Sequence, residues 1–133
     1  RVVFTGDILF IEGHPILWAG PVKNWINACD RIISMEVDFV VPGHGPVTDN
    51  RGVKAVRDYL AYIDTESRER FESGMSALEA AKEIDLDLFS TWGDAERIAV
   101  NVNSLYREYK GEEKREEITL LFQQSIFQEL YLR

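Results

Sequence analysis

The stretch Asp38-Phe39-Val40-Val41-Pro42-Gly43-His44-Gly45-Pro46 decides how this chain is read. A short apolar run ends in Pro-Gly, and an imidazole then stands between two glycines. The run reads as a buried strand, and the glycines leave the backbone around His44 free to turn sharply and approach another group closely. Toward the N-terminus, Arg1 to Asp7 repeats the plan: Val2-Val3-Phe4-Thr5 forms a strand, Gly6 turns, and Asp7 is presented. Between them, Gly20-Pro21 opens a helix, proline being suited to a first turn. Along it Val22, Trp25, Ile26, Cys29, Ile32 and Ile33 recur at spacings of three and four and make one apolar face. Strand, helix, strand implies a crossover unit and parallel pairing. Parallel strands bring their carboxyl ends to one edge, where open α/β folds keep their sites. Asp7 and His44 are therefore expected to converge as two metal ligands, because zinc takes carboxylate oxygen and neutral imidazole nitrogen. A Gly-Asp turn alone is most often only a turn; its matching with a Gly-His-Gly loop at a second strand end carries the reading.

The character changes after Thr48-Asp49-Asn50, a cluster suited to capping a helix. Val53, Val56, Leu60 and Ile63 form a helical stripe that runs on toward Phe71 and stops at Gly74. Ser76-Ala77-Leu78-Glu79 is a capping box opening a short helix that ends near Ile84. Asp94 is expected to cap the next helix, with Ala95, Ile98, Ala99, Val102, Leu105, Tyr106 and Tyr109 inward, and Gly111 ends it. A last helix is expected from Glu112 to Arg133, with Ile118, Leu121, Phe122, Ile126 and Leu130 as its apolar edge. Two regions follow: an α/β unit over residues 1–50 and a helical extension over residues 51–133. Two or three strands cannot cover both faces of their own sheet, so the helices fold back over it or further strands lie upstream. The chain starts inside a strand pattern and is read as cut from something longer.

With 133 residues, 45% of them hydrophobic, there is material for one real core. A net charge of −8 argues against nucleic acid, whose phosphates demand a basic stripe. No apolar run reaches the roughly 18–20 residues a bilayer requires, so no membrane span is expected. One cysteine, Cys29, excludes an internal disulfide and a Cys-rich zinc site, fits a cytoplasmic origin, and reads as a buried, inert thiol.

Val3-Phe4-Thr5-Gly6-Asp7-Ile8-Leu9-Phe10 and Val40-Val41-Pro42-Gly43-His44-Gly45-Pro46-Val47 together resemble the last two metal-binding motifs of the metallo-β-lactamase superfamily. The resemblance is strong over residues 1–50, looser over 51–110 and absent beyond Gly111. It implies an αββα sandwich, of which this chain is the carboxyl-terminal half, with one or two zinc ions at the sheet edge. By position, Asp7 corresponds to the carboxylate that bridges two metals and His44 to the terminal histidine ligand of one. The implied activity is hydrolysis of a small-molecule ester, thioester, lactone or lactam by metal-activated water. The family's His-X-His-X-Asp-His run is missing, as is a further histidine ligand before the Gly-Asp turn. Two ligands do not close a tetrahedral site, so this chain alone is expected to be inactive and to bind zinc weakly or not at all.

His14, in Glu12-Gly13-His14-Pro15, matches no family ligand and is read as a loop residue that supports a ligand or borders the substrate mouth. Asp49 is read as a helix cap or as a hydrogen-bond partner orienting His44. Trp18 and Trp25 are read first as core or interface packing residues and second as a hydrophobic substrate wall, with Trp18 at the substrate mouth. The competing function is a non-catalytic α/β-plus-helix interaction or dimerisation module, supported by Phe122, Phe127 and Tyr131 of the last helix. A phosphate cradle around His44 is disfavoured, because it lacks a lysine and the Walker spacing. Strands deprived of partners would leave apolar faces open, so self-association is expected.

Overall fold

The computed structural model describes residues 1–17 and 20–112. Trp18 and the expected last helix beyond Glu112 lie outside the described residues. The order is β1 (Val2–Phe10), α1 (Val22–Ser34), β2 (Phe39–His44), α2 (Asn50–Glu72), α3 (Ala77–Glu83), a 3-10 turn (Asp87–Phe89) and α4 (Arg97–Tyr109). This is a mixed α/β arrangement in which β1 and β2 pair in parallel across the α1 crossover.

Val2 lies opposite Phe39, Phe4 opposite Val41, Gly6 opposite Pro42 and Phe10 opposite His44. Beyond the Phe4–Val41 pair β1 advances two residues for one of β2, then four for two, so β1 carries extra residues as bulges. The sequence suggests that the strand stops at Gly6; instead β1 is one nine-residue strand. Gly6 absorbs the irregularity with φ +52°, a value that favours glycine. Pairing resumes because Ile8 to Ile11 is itself apolar and extended, with the Ile11 amide donating to the His44 carbonyl at 2.9 Å. Asp7 and His44 therefore sit within the carboxyl-terminal parts of their strands, not beyond them.

The two sheet faces differ. Val40 is fully buried and Thr5 nearly so, on the side that α1 and α2 cover. Leu9, Cys29, Ile32, Val40, Val53, Val56, Leu60 and Ile63 belong to one continuous core. On the opposite face Val2, Phe4 and Phe39 are 53%, 78% and 58% exposed. Helices thus fold back over one face only, and the other is bare among the described residues.

The extension follows its local signals. Asp49 caps α2, accepting from the Arg51 amide at 2.8 Å. Ser76 and Glu79 form the reciprocal capping box on α3, and Gly74 and Gly111 follow their helices at φ +86° and +69°. Asp94 departs from expectation. It takes φ +61°, its carbonyl accepts from the Arg97 amide at 3.0 Å, and α4 begins only at Arg97. A tight turn through Ala95 and Glu96 displaces the start, leaving the Asp94 carboxylate to pair with Arg97 at 3.3 Å.

Candidate functional site

The parallel register brings Asp7 and His44 together at the carboxyl end of the strand pair. Asp7 Oδ1 lies 3.2 Å from His44 Nε2, with the carboxylate 71% and the imidazole 55% exposed. Gly43 makes the approach possible. A Cβ there would stand 2.6 Å from the Gly6 carbonyl carbon and 2.7 Å from Asp7 Oδ1, closer than any side chain tolerates. Gly45, at φ +89°, has its backbone against Ile11, where a Cβ would stand 2.1 Å from the Ile11 carbonyl oxygen. On the Asp7 side, the Trp25 indole of α1 donates to the Ile8 carbonyl at 2.6 Å and ties the helix to β1 just beyond the carboxylate.

The pair fits one zinc edge. Two donors at about 2.0–2.2 Å from one ion, at a tetrahedral angle, stand about 3.4 Å apart, close to the 3.2 Å found between Asp7 and His44. Among the described residues no cluster of three or more His, Cys, Asp or Glu side chains suited to a metal occurs. Among the described residues, Asp7 and His44 can supply two ligands. No family model matches the chain.

The other expected site residues lie elsewhere. His14 is fully buried and lines no open mouth among the described residues. Its Nδ1 lies 2.8 Å from the Tyr59 hydroxyl, which also accepts from Asn101 Nδ2 at 3.0 Å. The direction of the bond between the phenol and Nδ1 follows the imidazole tautomer, and His14 Nε2 is buried with no hydrogen-bond partner among the described residues. The Trp92 ring stands edge-on to the imidazole, 6.0 Å between centroids. Burial and the nearby Arg97 guanidinium push the His14 pKa down to about 4, against a smaller pull from Asp94. Gly13 and Gly93 bridge here as well, so the loop is packed inward by backbone bonds and by the aromatic cluster.

Asp49 does not serve His44. Its carboxylate accepts from the Arg51 amide and guanidinium, both at 2.8 Å, and these bonds hold its pKa below the usual carboxylate range. A residue that opens α2 is drawn to the bare amides of the helix start, which satisfies it locally. Cys29 is buried, and desolvation, with Asp30 adding to it, pushes its thiol up to about 11, where it stays protonated and unreactive.

Two contributors escape sequence reasoning. Phe10 stacks on the His44 imidazole, with ring centroids 4.2 Å apart and planes 10° apart. Arg97, from α4, places its guanidinium 5.7 Å from the Phe10 ring centroid. In the sequence Phe10 is one apolar residue in a run, and only the register opposite His44 marks it. Arg97 has no signal at all.

Proposed function

We propose that this chain carries two metal ligands, Asp7 and His44, of a zinc-dependent hydrolase of the metallo-β-lactamase type, acting on a small-molecule ester, thioester, lactone or lactam. The observation that carries the reading is the 3.2 Å approach of Asp7 Oδ1 to His44 Nε2 across the strand pair. Glycines at 43 and 45, where a Cβ would collide with Asp7 or with Ile11, support it. So does the exposure of Val2, Phe4 and Phe39 on one sheet face, bare among the described residues, since a sandwich of this type lays a second sheet on the first. Zinc, when bound, would polarise the scissile group and acidify water. This chain's own part is to present a carboxylate and an imidazole side by side from a fixed backbone, with the remaining ligands coming from residues such as the absent His-X-His-X-Asp-His run. Alone, it is then inactive.

Zinc calorimetry tests the ligand count. The chain as it stands is expected to bind zinc more weakly than micromolar, and Asp7→Asn or His44→Gln should abolish the remaining heat. Submicromolar, stoichiometric binding would overturn the incomplete-site reading. Thioester and lactone panels with zinc should show turnover only when a longer protein containing the His-X-His-X-Asp-His run is used.

The interaction-module reading draws on the same bare face. Val2, Phe4 and Phe39 are exposed on one sheet face, and contiguous apolar patches of that kind mark interaction surfaces when they are large. Sedimentation velocity is expected to show concentration-dependent association of the chain, reduced by Phe4→Ser and Phe39→Ser. Monomers at every concentration would count against it. No helix among the described residues is long and apolar enough to cross a membrane.

A further inference from the structure

We infer that Phe10 is the positioning residue for the His44 imidazole and that Arg97 holds Phe10 in place; this rests on His44 acting as a metal ligand. Three independent restraints meet at this ring pair. The first is the register, which sets the Cα of Phe10 opposite that of His44 at the end of the parallel ladder. The second is the stack itself, nearly parallel at 10° with 4.2 Å between centroids. Phe10 is only 5% exposed, so it cannot follow the imidazole if that ring swings away. The third is the Arg97 guanidinium near the Phe10 ring, itself fixed by donating to the His14 carbonyl at 2.9 Å and pairing with Asp94.

The consequence is a defined ring plane on an otherwise open side chain. With 55% of its side chain exposed, His44 would sample several rotamers if nothing covered it. The stack covers one face and leaves the Nε2 edge toward Asp7. Groups that orient a metal-binding histidine typically change affinity by about 10–100-fold when removed. Phe10 does this through a ring face, where most such supports are hydrogen bonds, and the link through Arg97 makes α4 part of the site's scaffold.

Nuclear magnetic resonance of the chain tests this, using Phe10→Leu, which keeps apolar bulk without a ring face, and Phe10→Tyr, which keeps the stack. In the unaltered chain, nuclear Overhauser contacts between the two rings and upfield-shifted His44 ring protons are expected. Phe10→Leu should return those protons to their free-histidine positions and raise by about tenfold the zinc concentration at which His44 shifts. Phe10→Tyr should preserve both, and a purely packing role would not separate Tyr from Leu in this way. Should Phe10→Leu fail to fold, the ring-to-ring contacts of the unaltered chain still decide, and their absence overturns the inference. Unchanged His44 resonances in a folded Phe10→Leu overturn it too. If millimolar zinc leaves His44 untouched in the unaltered chain while the ring protons respond to Phe10→Leu, zinc binding by this chain alone fails and the positioning of the ring survives.

Discussion

Replacing Gly45 by alanine is expected to destabilise the chain by about 2–5 kcal/mol, the sum of a backbone cost and a collision. Gly45 holds φ at +89°, and left-handed backbone costs an L-residue about 1–2 kcal/mol. The added methyl would stand 2.1 Å from the Ile11 carbonyl oxygen and 2.9 Å from its carbon. Both neighbours are backbone, so no flexible side chain can yield. Forcing the segments apart strains the Ile11 amide to His44 carbonyl bond, and with it the Phe10 stack; overpacking of this kind costs about 1–3 kcal/mol. Gly74 supplies the control. It has φ +86° with nothing within 4 Å of an added Cβ, so Gly74→Ala should show the backbone cost alone. Urea unfolding of the two variants separates the terms. If Gly45→Ala loses no more stability than Gly74→Ala, the close approach around His44 is not tight in solution. If it loses more, the glycine is required for the geometry that sets His44 beside Asp7.

What could be read from the sequence was local. The apolar spacing of Val53, Val56, Leu60 and Ile63 marks the buried face of α2, and all four are buried there. Ser76 and Glu79 announce their capping box because both partners lie within one turn. The parallel pairing of β1 and β2 follows from chain order, since a helix between two strands leaves few other connections. Features set by distant contacts were not legible. His14 looks like an exposed loop residue in Gly-His-Pro, yet Tyr59 and Trp92, both far along the chain, pack against its buried ring. The continuation of β1 beyond Gly6 depends on β2 offering partners as far as His44, which composition does not show. Asp94 fails as a cap because Gly93 bridges back to the Glu12–His14 loop, and that contact fixes the turn before α4.

That buried histidine sets the second large effect, a loss of stability of about 2 kcal/mol between pH 7 and pH 5 from His14 alone. Unfolded, its imidazole takes up a proton near the ordinary value of about 6.5; folded, it resists until about pH 4. Between those values the unfolded chain binds the extra proton, so stability falls as the pH falls. The contribution is complete above pH 6.5, and by pH 4 about 3 kcal/mol of it has gone. The groups facing the ring explain the sign. Burial disfavours the charged imidazole, with the buried Tyr59 hydroxyl 2.8 Å from Nδ1; Arg97 brings positive charge from α4, and Asp94 only partly offsets it. Asp49, Asp38 and Glu79, whose pKa values are held low by hydrogen bonds, begin to lose their share only as the pH falls into the ordinary carboxylate range, at the acid end of this window and beyond. The window from pH 7 to pH 5 therefore largely isolates the imidazole from these three. Denaturant unfolding of the unaltered chain and of His14→Gln at both ends of that window measures the difference. The variant starts less stable, having lost its fit to Tyr59, but its stability should change by about 2 kcal/mol less across the window. Equal pH slopes for the two proteins would mean that His14 is reached by solvent and titrates freely, and the loop carrying it would then be open enough to border a substrate after all.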